Sequence, residues 1–161
     1  MGQNHPLKDK SKFYDLFRHN IYALKPYSPD DAFRMLKHLN EVAGNPLSDT
    51  QLNQIHWLAG GHARLLKIIF NIWVQEGKSG IMIEHFKDKP DVQQECQRIL
   101  RNLHEDEQEV ALLAARRLHV AEHPAILDHL ERRGVLVRSD PVTWFSPLMG
   151  QFLRTYDKEA T

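Results

Sequence analysis

A mainly α fold, in which a helical subdomain is followed by a winged helix with a small β-hairpin, is what the sequence predicts. Three observations carry it. Two helix-start signals, Ser28-Pro29-Asp30-Asp31 and Ser48-Asp49-Thr50-Gln51, stand ahead of apolar-periodic stretches. Apolar residues recur at helical spacing through most of the chain. The period falls to two only near the C-terminal end, in Val135-Leu136-Val137 and Thr143-Trp144-Phe145-Ser146.

Taken in order, residues 1–27 form an N-terminal segment. Its polar start is followed by an apolar cluster of Phe13, Tyr14, Leu16 and Phe17, then by a short strand over Asn20–Leu24 that Pro26 ends. Residues 28–89 make the helical subdomain. Ser28 is the N-cap of its first helix, with Pro29 at the first position and acids in the first turn. Ala32, Phe33, Met35, Leu36, Leu39 and Val42 supply the apolar face, and Gly44 closes the helix. The second helix carries Leu52, Ile55 and Leu58 up to Gly60-Gly61, and a third, from about His62 to Glu76, is apolar on most of its circumference and so belongs in the middle of something. After a break at Gly77–Gly80, Ile81–Phe86 is a short helix, and Lys87-Asp88-Lys89-Pro90 has the charge and proline of a boundary.

Residues 90–157 make the second unit, and 158–161 a tail. Helices are expected over Val92–Leu103 and Glu105–Leu118, the latter with Val110, Leu113 and Ala114 inward and Glu107, Gln108 and Arg117 outward. Pro124–Arg133 makes a third helix, ended by Gly134. A hairpin turning at Arg138-Ser139-Asp140-Pro141 follows, and Pro147–Tyr156 closes the chain with Leu148, Met149, Phe152 and Leu153 as its apolar residues.

With 161 residues the chain is one domain or two small ones. Its 21 basic and 21 acidic residues balance, so no overall field draws it to nucleic acid or to an anionic membrane. The lone Cys96 excludes an internal disulfide framework, suits a reducing cytoplasm and reads as a helix residue without chemistry. Leu65–Val74, interrupted by Lys67 and Asn71, is about half the length of a membrane span. The opening Met1-Gly2-Gln3-Asn4-His5-Pro6 lacks a signal core and the hydroxyl residue of a myristoylation motif, so neither export nor anchoring is indicated and a cytoplasmic location is expected.

Leu58-Ala59-Gly60-Gly61-His62-Ala63-Arg64-Leu65-Leu66-Lys67 is the most informative stretch. Glycines let the backbone turn sharply, and the helix that follows turns unpaired N–H groups and the positive end of its dipole outward. Arg64 adds a planar charged fork suited to phosphate oxygens. The plainer reading makes Gly60-Gly61 a joint between two packed helices, with Arg64 solvated. Elsewhere the chemistry is thin. His119-Val120-Ala121-Glu122-His123 would align two imidazoles only if continuously helical, which Pro124 opposes, and no further ligand stands at a suitable spacing, so no metal site is assigned. No nucleophile elbow frames a serine, and no catalytic residue is assigned. DNA contact by the winged helix is disfavoured. The stretch between Leu118 and Gly134 is short for two helices and a turn, and Asp128 and Glu131 on the surviving helix repel phosphate beside Arg132 and Arg133. Arg116, Arg117, Arg132, Arg133 and Arg138 remain a possible patch for DNA or a partner.

Three pieces in this order, Leu24-Lys25-Pro26-Tyr27-Ser28-Pro29-Asp30-Asp31-Ala32, the stretch with Gly61-His62-Ala63-Arg64, and Arg132-Arg133-Gly134-Val135-Leu136-Val137, resemble the C-terminal half of a nucleotide-switch ATPase of the AAA+/STAND group over about residues 20–157. In that group a helical lid folds over bound nucleotide, and a glycine-rich element opening a lid helix supplies the contact. One version is Gly-x-x-Arg, whose arginine senses the terminal phosphate; another is Gly-His-Pro, whose proline lies against the base. Gly61-His62-Ala63-Arg64 fits the first version residue by residue; Ala63 stands where the second has proline, so base stacking there is not implied. The resemblance thus implies nucleotide sensing by Gly61, His62 and Arg64. The glycines at 2, 44, 60, 61, 77, 80, 134 and 150 nowhere build a phosphate loop beside a lysine, and no acidic strand end for magnesium is evident. The chain then reads as lid and tail of a larger signalling ATPase. It carries no cofactor of its own, does not hydrolyse ATP alone, and expects ATP or ADP with magnesium on an upstream core. A winged-helix DNA-binding regulator and a protein-interaction scaffold are the alternatives.

Overall fold

A computed structural model describes residues 27–77, 82–116, 123–139 and 142–157. The expected strand at 20–24, the tail at 158–161 and His119–Glu122 lie outside the described residues. Within them the protein is mainly helical, with a single two-stranded hairpin.

The start signals act as written. Ser28 Oγ accepts from Asp31 N at 3.2 Å and opens α1, Pro29–Val42. Ser48 and Gln51 form a reciprocal capping box ahead of α2, Asp49–Ala59. The face of α1 differs from expectation at its end. Val42 is 75% exposed, and Asn40 is buried in its place. The reason is local: the Asn40 amide pairs with the backbone of Leu47 in both directions, donating to its carbonyl at 2.9 Å and accepting from its N–H at 3.1 Å, which ties the α1–α2 turn down.

Helix α3, Ala63–Glu76, buries Leu65, Leu66, Ile69, Phe70, Ile72 and Trp73 and packs against α1 and α2. The short α4, Met82–Phe86, sends Phe86 against Trp73. Pro90, expected as a boundary, is the first residue of α5, Pro90–Arg101, where its missing N–H costs nothing. In α6, Glu105–Ala115, Val110 and Ala114 are buried and Leu113 partly so. Glu107, expected outward, is instead 1% exposed. Its two oxygens explain this, one accepting from His104 N at 2.9 Å and the other from Arg133 Nε at 2.8 Å.

Helix α7, Pro124–Arg132, leads to β1, Leu136–Val137, and β2, Thr143–Trp144, paired antiparallel with Leu136 opposite Trp144 and Val137 opposite Thr143. The last helix, α8, Pro147–Thr155, lies against α2, α5, α6 and β2. One apolar core therefore runs from Ala32 to Leu153, without a gap at the Lys87–Pro90 segment where the sequence suggests a division.

Candidate functional site

The corner between α2 and α3 is built from backbone first. Gly60 ends α2 at φ 64°, Gly61 follows at φ 85°, and both values lie in the left-handed region that favours glycine. Gly60 has a second reason to lack a side chain, since a Cβ there would stand 1.5 Å from the carbonyl oxygen of Phe145. The corner is thus pressed onto the junction between β2 and α8. Next to that contact Ser146, fully buried, donates from Oγ to the Leu58 carbonyl at 2.6 Å. The same oxygen accepts from Leu148 N at 3.1 Å and Met149 N at 3.2 Å, capping α8. One hydroxyl joins the last turn of α2 to the first turn of α8. Tyr27 N donates to Gly61 O at 3.0 Å and fixes the far side of the corner.

His62 follows as the N-cap of α3. Its Nδ1 accepts from Leu65 N at 3.4 Å, its ring leans on Phe145 with centroids 5.6 Å apart, and its Nε2 lies 3.9 Å from Oε2 of Glu95 on α5. Burial, together with the charges of Arg64 and Arg98, lowers the imidazole pKa to about 4, so the ring is neutral at physiological pH, as an accepting Nδ1 requires. Burial raises the Glu95 carboxyl above its ordinary range, and the two arginines oppose that rise. Arg64, the second residue of α3, is exposed and in no ion pair among the described residues.

Gly61, His62 and Arg64 therefore share one corner: the glycine pair is a packed joint, and it opens a helix whose second residue is the exposed Arg64. In the second cationic group three of the arginines have internal partners. Arg133 is held by Glu107, Arg138 NH1 pairs with Asp128 Oδ1 at 2.7 Å, and Arg116 donates to the Tyr156 carbonyl at 2.7 Å, while Arg132 is exposed. Asp128 is engaged by Arg138 at this spot. Arg117 lies outside the described residues.

Among the described residues no group of three or more His, Cys, Asp or Glu is placed to hold a metal ion. The Cys96 thiol, pushed up to about 12 by burial and the nearby Glu95, stays protonated. No described helix is long and apolar enough to cross a membrane. Sequence reasoning missed Glu95, Phe145 and Ser146. Ser146-Pro147 is itself a helix-start signature that points to Ser146; Phe145 meets Gly60 only through tertiary packing. Comparison with family models, curated proteins and solved structures gives no match.

Proposed function

We propose that the chain is the regulatory lid and second unit of a nucleotide-switch ATPase of the AAA+/STAND kind, closing on ATP or ADP with magnesium held by an upstream core and relaying the movement to a protein partner in the cytoplasm. One observation carries the reading. The exposed Arg64 sits in the first turn of a helix whose entry corner is packed backbone to backbone on Phe145 and Ser146. A pull on Arg64 by a terminal phosphate moves that corner, and the corner cannot move without α8. The ion pairs of Arg133 and Arg138 favour a protein partner over duplex DNA, because cations held by internal carboxylates release fewer counterions from phosphate.

The test is Arg64→Ala in the parent protein carrying the upstream core. A charged hydrogen bond to phosphate contributes about 1.5–3 kcal/mol, so the variant weakens ATP relative to ADP by roughly tenfold or more. The exposed side chain leaves the melting of the 161-residue chain itself nearly unchanged. An unaltered ATP-to-ADP preference, or a melt that collapses, removes the sensing role.

A further inference from the structure

Glu95 is a buried titratable group to which the corner, as described, gives no task. Its side chain is 8% exposed, it comes from α5 rather than from the helices that form the corner, and among the described residues its ion-pair contact is His62 Nε2 at 3.9 Å, with the charges of Arg64 and Arg98 also acting on it. Leaving a carboxyl in such a place is costly unless something there uses it.

We infer that Glu95 is the positioning residue of the corner: it holds the imidazole proton of His62 on Nε2 and so keeps Nδ1 bare to cap α3 at Leu65. The two ring nitrogens make matching demands. Nδ1 faces the N–H of Leu65 and must accept; Nε2 lies 3.9 Å from a carboxyl oxygen, too far for a hydrogen bond but close enough for the negative charge to favour a proton there. The opposite tautomer would set N–H against N–H on one side and a lone pair against the carboxylate on the other. Burial first, and then the charges of Arg64 and Arg98, disfavour the imidazolium, and the Phe145 ring lies against the imidazole.

The consequence falls on the first turn of α3. With Leu65 N–H bound by the imidazole and Leu66 N–H by the His62 carbonyl at 2.9 Å, the amides of Ala63 and Arg64 are the first-turn donors without a helical partner. A residue on α5 thereby decides which donors accompany the Arg64 guanidinium. Only this consequence rests on the nucleotide reading of Arg64; the tautomer does not.

Nitrogen-15 spectra of the histidine rings in the 161-residue chain at neutral pH test the inference. His62 is expected to show a protonated Nε2 and a bare Nδ1. Glu95→Leu is expected to give mixed tautomers and to speed amide exchange at Leu65 by roughly tenfold, the loss of about one cap. Glu95→Gln, which keeps a partly negative oxygen at the same place, is expected to return the balance toward the Nε2-protonated tautomer. A purely space-filling role would not separate Leu from Gln in this way. A protonated Nδ1 in the unaltered chain, or a Glu95→Leu spectrum identical to it, overturns the inference. Should Glu95→Leu fail to fold, Glu95→Met, which also lacks the carboxyl oxygen, takes its place in the comparison. A wrong tautomer leaves the Arg64 experiment standing, and a silent Arg64→Ala leaves the tautomer standing, so the two failures are distinct.

Discussion

Replacing Gly60 with alanine tests the joint between the corner and α8, and Gly77 supplies a control in the same chain. Both glycines close a helix, at φ 64° and 65°, so each substitution forces an L side chain into left-handed backbone. That conformation costs about 1–2 kcal/mol. The gain from stiffening the unfolded chain is common to both and cancels. What the new methyl meets is different. At Gly77 a Cβ meets none of the described residues within 4 Å, whereas at Gly60 it lies 1.5 Å from the Phe145 oxygen and 2.4 Å from the Phe145 carbonyl carbon. Backbone atoms have no rotamer to retreat into, so one of the two segments must shift, and overpacking of this kind adds about 1–3 kcal/mol. Gly60→Ala is therefore expected to be less stable than Gly77→Ala by about 2 kcal/mol. In urea, with a slope of about 2 kcal/mol/M, that separates the two midpoints by about 1 M. Equal midpoints would show that the joint yields without cost, and the mechanical step from α3 to α8 would fall with it.

Two further outcomes follow from charge. Arg133→Ala leaves the Glu107 carboxylate, 1% exposed, without its counter-charge and should cost about 3–5 kcal/mol, while Arg138→Ala opens a pair whose side chains are 39% and 52% exposed and should cost about 1 kcal/mol or less; similar melting temperatures for the two variants would refute the distinction. For His62, the folded-state pKa of about 4 lies below the ordinary 6.5, so between those values the unfolded chain binds a proton that the folded chain refuses. The stability it contributes is complete above about pH 6.5 and drains as pH falls toward 4. Glu95, raised above its ordinary 4.5, runs the other way just above that value, which makes a single-site comparison necessary. His62→Asn keeps a capping oxygen and removes the titration, so denaturant melts from pH 4 to 7 should show the unaltered chain losing up to about 3 kcal/mol relative to the variant, and a pH-independent difference would refute the shift.

What the sequence made legible was whatever local chemistry specifies. Ser28-Pro29 and Ser48-Asp49-Thr50-Gln51 cap their helices by contacts three residues away, and the glycine pair breaks the helix where the backbone needs left-handed φ. The change of period marked the hairpin for the same reason. What escaped depends on partners far along the chain. A glutamate on a helix reads as solvated until an arginine 26 residues later is seen to neutralise it, as with Glu107 and Arg133. Glu95 sits beside Val92 and Cys96 on the buried stripe of α5, yet its charge argues for water unless His62 is known to face it. At the corner, residue types pointed to Arg64 and His62, but the close approach of Phe145 to Gly60 is a property of the packed chain and has no signature in either segment.

The Ser146 bond to Leu58 also bears on how the chain folds. It spans 88 residues, and closing a loop of that length costs about 4 kcal/mol of chain entropy before any contact across it is rewarded. The bond itself has no local substitute, because the carbonyl on one side belongs to the end of α2 and the hydroxyl on the other to the start of α8. Each half therefore lacks its finished surface until the other arrives: α2 has its last turn uncovered, and α8 has its cap without the anchoring carbonyl. Unfolding is then concerted across Pro90, and a nick in the Lys87–Pro90 segment would be expected to leave two pieces that remain together rather than two that fold apart.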